Sequence, residues 1–291
     1  MIHYDEPLFR PPSEAESLII QATLGCSYNK CTFCSMYKSK KYTIKSYETI
    51  AREIDYLSSY SETRRVFIAD GDAFSLKTEM LIKIFSKLKD TFPKIRRISL
   101  YGNTLNIINK TDSELENLYK AGLSIIYLGL ESGSDLILEK INKGVSKKDQ
   151  ESAVLRVQKC GIDISATIIT GLGGKEHWKE HIRQSAELIN RSTPKYLSTL
   201  SLMTDSESIK RVTTPFQDGF TPQDNTGILE EEKLLISLID SKKRIIFRSN
   251  HASNVLPLSG RLPGDKEKLI EQIETALTTG KGIRPLWLYS E

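Results

Sequence analysis

The feature that most constrains the fold is an alternation. Before residue 204 an apolar, β-branched run is followed by an amphipathic charged segment, over and over. Ser17–Gly25, Arg64–Ala73, Ile95–Asn103, Ser124–Ser134, Asp163–Gly174 and Lys195–Met203 read as strands with their turns. Ser46–Tyr60, Lys77–Phe92, Thr111–Gly122, Lys147–Gly161 and Glu176–Arg191 read as the helices between them. In the first helix Ile50, Ile54 and Leu57 share one face. In the third, Thr111 or Asp112 is the expected cap and Gly122 the stop. Strands separated by helices require right-handed crossovers and a parallel sheet. Six strand units fit an α/β chain folded as a partial (β/α)6 TIM-like barrel better than two separate domains. A doubly wound open sheet stays open on pattern alone.

After Met203 the pattern breaks. Thr204–Gly227 is polar, with two prolines and two glycines, and reads as a long loop. A helix over Leu229–Ser241, a short strand over Arg244–Asn250 and a last helix over Asp265–Thr279 follow. The expected organisation is an N-terminal extension over 1–16, a core over 17–203, and a loop with a C-terminal α/β extension over 204–291 that caps the core.

Composition narrows the class. The 291 residues are 39% hydrophobic and 27% charged, ordinary values for a globular chain. Basic and acidic residues, 41 and 37, are largely interspersed, so the formal charge of +4 carries little. No run approaches the ~18 apolar residues of a membrane span, and the N-terminus shows no secretory apolar region. The expectation is a cytoplasmic protein with reduced thiols.

Against that background "GCSYNKCTFCSMY" stands out. Cys26, Cys31 and Cys34 lie within nine residues of a chain with one other cysteine. They follow the first strand, where the βα loops of parallel barrels carry active sites. Cys160 falls in a predicted helix and reads as a small apolar residue packed inside. A structural zinc needs a fourth ligand, and no histidine lies in the loop. His3 or His251 would have to come from afar. Three thiolates with one vacancy suit a 4Fe–4S cluster whose fourth iron takes an outside ligand.

On these residues the chain resembles the radical S-adenosylmethionine enzymes. Their hallmark is three close cysteines after the first strand, with an aromatic residue before the last, here Phe33. The commonest gaps in that family are three and two residues. Here the first gap, "SYNK", has four, so this is a CX4CX2C variant. The resemblance implies that Cys26, Cys31 and Cys34 hold the cluster. It also implies that S-adenosylmethionine binds the open iron and is reductively cleaved to a 5′-deoxyadenosyl radical that takes hydrogen from a substrate. The family pattern then assigns cofactor contacts strand by strand. "ADGDAF" places Asp70, Gly71 and Asp72 at the cofactor's amino group. Asn103 of "YGNTL" reads as a carboxylate or ribose contact, or equally as a turn former. "GLESGS" matches a segment of anaerobic coproporphyrinogen oxidases and tRNA-modifying radical enzymes, carrying over Glu131 and, less directly, Ser132. "ATIITGLGG" resembles the segment that lies against adenine, with apolar contact from Ile168 and Ile169 and close approach at Gly171. The match runs from about Leu18 to Met203.

The substrate is less legible. "FRSNHASN" could line a polar pocket with Arg248, Asn250, His251 and Asn254, or be a structured turn. His177 and His181 stand four apart on "EHWKEH", a spacing that can hold a metal, but the flanking residues suggest a surface helix and a chance pair. The basic stretch Tyr37–Lys45 could steer an anion or be a solvated loop. A nucleic-acid substrate is disfavoured because the charge is dispersed. The expected partners are a small polar, heterocyclic substrate and an external reductant of flavodoxin or ferredoxin type. In size and plan the chain is similar to queuine lyase, which would make it a lyase. The alternatives are a tRNA-modifying radical enzyme and a zinc-stabilised binding protein.

Overall fold

The computed structural model describes residues 4–203, 208–217 and 219–284. His3 and the start of the polar loop, residues 204–207, lie outside them. The elements in chain order are β1 (Leu18–Gln21), β2 (Thr23–Leu24), β3 (Thr43–Ile44), α1 (Tyr47–Tyr56), β4 (Arg65–Ala69), α2 (Thr78–Thr91), β5 (Arg97–Gly102), α3 (Thr104–Ile108) and α4 (Asp112–Ala121). Then come β6 (Leu123–Glu131), α5 (Asp135–Lys140), α6 (Lys147–Lys159), β7 (Asp163–Thr170), α7 (Gly174–Ser192), β8 (Tyr196–Ser201), α8 (Ser208–Thr213), α9 (Asn225–Leu238), β9 (Ile245–Ser249), β10 (Leu258–Leu262) and α10 (Lys266–Thr279).

The main sheet has eight strands in the order β1-β4-β5-β6-β7-β8-β9-β10. The first seven run in chain order; β1–β4, β4–β5, β5–β6, β7–β8 and β8–β9 pair in parallel, while β10 is antiparallel to β9. The α/β class with a mostly parallel sheet, expected from the alternation, is therefore the observed one. By internal contacts the chain divides into two compact units. One comprises Met1–Asn29, Cys34–Leu128 and Leu155–Ile164, the other Lys30–Phe33, Gly129–Val154 and Ser165–Glu291.

In the first unit the periodicity works as read. Ile50, Ile54 and Leu57 of the α1 region are buried, as are Leu81, Ile84, Phe85 and Leu88 of α2. Thr111 and Glu114 form a reciprocal capping box at α4, and Gly122 closes that helix in the left-handed region. The N-terminal segment is anchored rather than loose. Glu14, on a 3-10 turn over Pro12–Glu14, is fully buried. Its carboxylate accepts from Ser99 Oγ at 2.9 Å, from Tyr127 OH at 2.6 Å and from Ser17, and pairs with Arg97 at 2.9 Å. With every lone pair engaged, the buried charge is tolerable.

In the second unit β7, β8 and β9 pair in parallel, and α9 packs against both α7 and α10. The tail thus continues the sheet with two strands. β10, "LSGRL", is a strand the sequence pattern missed, and α3, α5 and α8 are short helices it did not assign. α9 begins at Asn225, earlier than expected, because Asp224 caps it by accepting from Gly227 N at 2.8 Å.

Two readings need correction. Cys160 is not packed inside: it sits just past the end of α6, half-buried, with its thiol 3.8 Å from the Asp112 carbonyl. His181 is not on a surface face but fully buried, while His177 is half-buried and stacks on Phe216.

Candidate functional site

None of the three motif cysteines is in a disulfide, and each is half-buried. Burial pushes the Cys26 thiol up, opposed by the backbone N–H groups of Asn29 and Tyr28, which point at its sulfur. Asn29 takes a left-handed conformation, φ 42°. Its side-chain amide donates to the Tyr37 carbonyl at 2.8 Å, and Lys38 Nζ reaches its carbonyl at 2.7 Å. The long first gap therefore folds into a turn tied back to Tyr37, and the Asn29 side chain serves the loop itself. Among the described residues no three His, Cys, Asp or Glu side chains form a group able to hold a metal ion. The donor chemistry fits an iron–sulfur cluster nonetheless: three half-buried thiols on one short loop, none in a disulfide, with amides directed at one sulfur.

Asp70 and Asp72 flank Gly71 at the end of β4, and both are fully buried. Asp70 pairs with the Lys40 ammonium at 3.0 Å, and Gly25 N lies 3.3 Å from the same oxygen. Burial pulls Lys40 down, but Asp5 and Asp70 more than offset it, so its ammonium is held. Gly71 is required by contact: a Cβ there would lie 2.5 Å from the Tyr37 ring. Asp72 Oδ2 accepts from Asn103 Nδ2 and Asn106 Nδ2, both at 2.6 Å, and from Ser27 Oγ. Asn103 also caps α3 through Asn106 N at 2.9 Å. These residues make a polar knot that fixes Ser27, the neighbour of Cys26. The basic stretch is largely structural, with Lys40 buried and Lys45 paired to Glu53 at 2.8 Å.

In the second unit Phe33 packs against Ile137, Leu138, Ile141, Ile169, Leu172 and Phe216. Thr32 N donates to the Ile141 carbonyl at 2.9 Å, which ties this part of the cysteine loop to α5. Ile168, by contrast, is fully buried on the opposite face of β7. Glu131 ends β6 with φ 65° and pairs with Lys143 at 2.9 Å, both side chains nearly buried.

Ser132 is fully buried, and its hydroxyl is taken by protein. It accepts from Ser134 N at 2.9 Å and meets His181 Nδ1 at 2.8 Å, while His181 Nε2 meets the Ile169 carbonyl at 2.9 Å. A carbonyl can only accept, so Nε2 carries the proton and Nδ1 accepts from Ser132. Burial lowers the His181 pKa to about 4, which keeps the ring neutral. With both nitrogens engaged, the His177–His181 spacing is not a metal site. Gly133 is required by contact: a Cβ there would lie 2.3 Å from the Gln184 carbonyl of α7.

The tail cluster resolves into ties. Asn254 is buried, accepting from Ser201 N at 2.9 Å and donating to the Thr199 carbonyl at 2.7 Å and Ser249 Oγ at 2.8 Å. His251 Nδ1 is engaged with Ser253, and Arg284 holds the carbonyls of Asn250 and His251. Arg248 and Asn250 are exposed.

Sequence reasoning missed two acids. Glu231 and Glu232 of α9 are buried, and burial pushes each up to about 7. Glu231 accepts from Gly171 N at 2.7 Å and Gln223 Nε2 at 2.9 Å, and Glu232 from Thr199 Oγ1 at 2.7 Å. The available signal was positional: both fall on the stripe set by Ile228, Leu229, Leu235 and Ile236.

Residues 20–189 match the model of the radical SAM superfamily. An uncharacterized methyltransferase of Pyrococcus horikoshii is 27% identical over 156 residues, 53% of this chain and 32% of that protein. The heme chaperone HemW of Bacillus subtilis is 23% identical over 189 residues, 62% of this chain and 48% of that protein. The matches thus take in under two thirds of the length of either relative. Among solved structures, methylornithine synthase superposes with a TM-score of 0.56 at 14% identity, covering 92% of this chain and 74% of that one. A cobalamin-dependent radical enzyme, OxsB, gives 0.52 at 18% identity, over 69% and 30%. These likenesses establish the fold, and among the described residues no helix is long and apolar enough to cross a membrane. With the family match spanning the cysteine loop and the parallel strands, the chain belongs to the radical SAM superfamily, whose cofactors are a 4Fe–4S cluster and S-adenosylmethionine.

Proposed function

We propose that this radical SAM enzyme acts on a small polar, heterocyclic substrate of queuine-like chemistry, breaking or rearranging a bond as a lyase does. The observation that carries the reading is the set of three half-buried thiols, none in a disulfide, at Cys26, Cys31 and Cys34 within the family-matched span. When bound, the reduced cluster supplies the electron that splits S-adenosylmethionine into methionine and a 5′-deoxyadenosyl radical able to take hydrogen from substrate.

The chain's own residues bind and orient. The three thiolates are the ligands. Lys40 already balances the Asp70 charge, so contact with the cofactor's ammonium falls to backbone carbonyls around Gly71. Asp72 and Asn103 act through the knot that fixes Ser27, and Ser132 acts through His181. Lys143 holds one oxygen of Glu131, leaving the other to accept from ribose hydroxyls. Phe33 and Ile169 offer apolar contact to adenine. Arg248 and Asn250, being exposed, are the tail side chains able to meet substrate, and the His251 ring is engaged with Ser253.

Anaerobic reconstitution tests the reading. Wild type is expected to bind iron and release 5′-deoxyadenosine on reduction, and Cys31→Ala to lose both. Iron retention by Cys31→Ala would defeat the cluster assignment. Adding queuine should raise 5′-deoxyadenosine and yield a product of altered mass. An unchanged mass would remove that substrate class.

A further inference from the structure

The end of β7 is held from two sides. The Ile169 carbonyl accepts from His181 of α7, and the Gly171 N–H donates to Glu231 of α9 at 2.7 Å. Both side chains are fully buried, and they fix the two peptide groups that flank Thr170. Around Glu231 a strap closes over the same turn. Gln223 donates to the other carboxylate oxygen, Lys175 N donates to the Thr221 carbonyl at 2.8 Å, and Thr221 N donates to Glu176 Oε2 at 2.9 Å.

Glu231 is an expensive way to satisfy one amide. A buried carboxylate with no cation beside it carries a large desolvation cost. An amide side chain would offer an acceptor at lower cost. What the carboxylate adds is a strong, short, directional hold on Gly171. Gly171 stands two residues from Ile169, and Ile169 shares its apolar cluster with Phe33, the residue before Cys34. Gly171 directly follows β7, whose next-to-last residue is Ile169, so a shift at Gly171 is passed to that contact through one residue, Thr170. Glu231 also lies beyond the residues matched by the family model, on a helix of this chain's own tail.

We propose that Glu231 is a positioning residue for S-adenosylmethionine: it anchors Gly171 and so presents Ile169 to the adenine. The proposal rests on the reading that Ile169 meets the cofactor.

The test is S-adenosylmethionine affinity of the reconstituted protein by equilibrium dialysis, together with the cofactor-induced change in the reduced cluster's EPR signal. Glu231→Leu should bind about tenfold more weakly. Glu231→Gln keeps an acceptor for Gly171 and should recover affinity to within about threefold. Gln223→Met, at a half-buried position, releases one oxygen of the carboxylate and should weaken binding about threefold even if Glu231→Leu fails to fold. Glu232→Gln, on the same helix and equally buried, should leave affinity unchanged. If Ile169→Ala loses affinity while the Glu231 and Gln223 variants keep it, the inference is overturned alone. If all three keep wild-type affinity, the placement of β7 at the adenine falls with it.

Discussion

Asp70 and Asp72 in one unit and Glu231 and Glu232 in the other are two pairs of acids buried to the same degree and treated differently. The aspartates are met by charge and by converging amides: Lys40 for Asp70, and Asn103 and Asn106 with Ser27 for Asp72. Among the described residues the glutamates are met only by neutral donors, and burial pushes each up to about 7. The difference shows that burial by itself does not set the behaviour of an acid. The partners decide whether the charged form is supported or merely tolerated.

The comparison can be broken most forcefully at Lys40. Lys40→Met strands Asp70 without its cation and should cost about 3–5 kcal/mol in urea denaturation. A loss under about 1 kcal/mol would mean the pair contributes nothing beyond its packing. Next is Glu232→Gln, where the sign reverses. A folded-state pKa raised to about 7 gives stability that is full below the usual carboxylate value and lost as pH rises through 7. The variant should therefore gain about 2–3 kcal/mol at pH 8 and change little near pH 4.5. Equal effects at both pH values would refute the assignment. Smallest is Asp72→Asn, the same kind of isosteric change with the opposite outcome. It sets an amide against the Asn103 and Asn106 amides and should destabilise by about 1–2 kcal/mol, read as a lowered urea midpoint. A gain would erase the contrast.

The repeating units were legible because long amphipathic segments with caps carry their own period, as Thr111, Glu114 and Gly122 illustrate at α4. Short elements were not. α3 and α5 are five and six residues long, too few to show one. β10 alternates buried and exposed positions with Gly260 and Arg261 inside it, so its composition argued against a strand. In the site, the cysteines and the turn around Gly71 were visible because unusual residues cluster there. What Ser132 and Asn254 bond to was not, since a serine or asparagine reads alike whether it faces a ligand or a carbonyl. Glu231 and Glu232 were hidden inside "LEEEK", which looks like a solvated face until the apolar stripe is traced through it.

The chain of bonds from Ser134 N through Ser132 and His181 to the Ile169 carbonyl donates in one direction throughout. To accept a proton, His181 would have to turn its acceptor nitrogen into a donor, and the Ser132 hydroxyl would have to swing its hydrogen away and accept. The α7 hold on β7 therefore keeps its form at every pH above about 4, while the α9 hold changes its charge near 7. Of two grips on a single strand end, one is indifferent to neutral-range acidity and the other registers it.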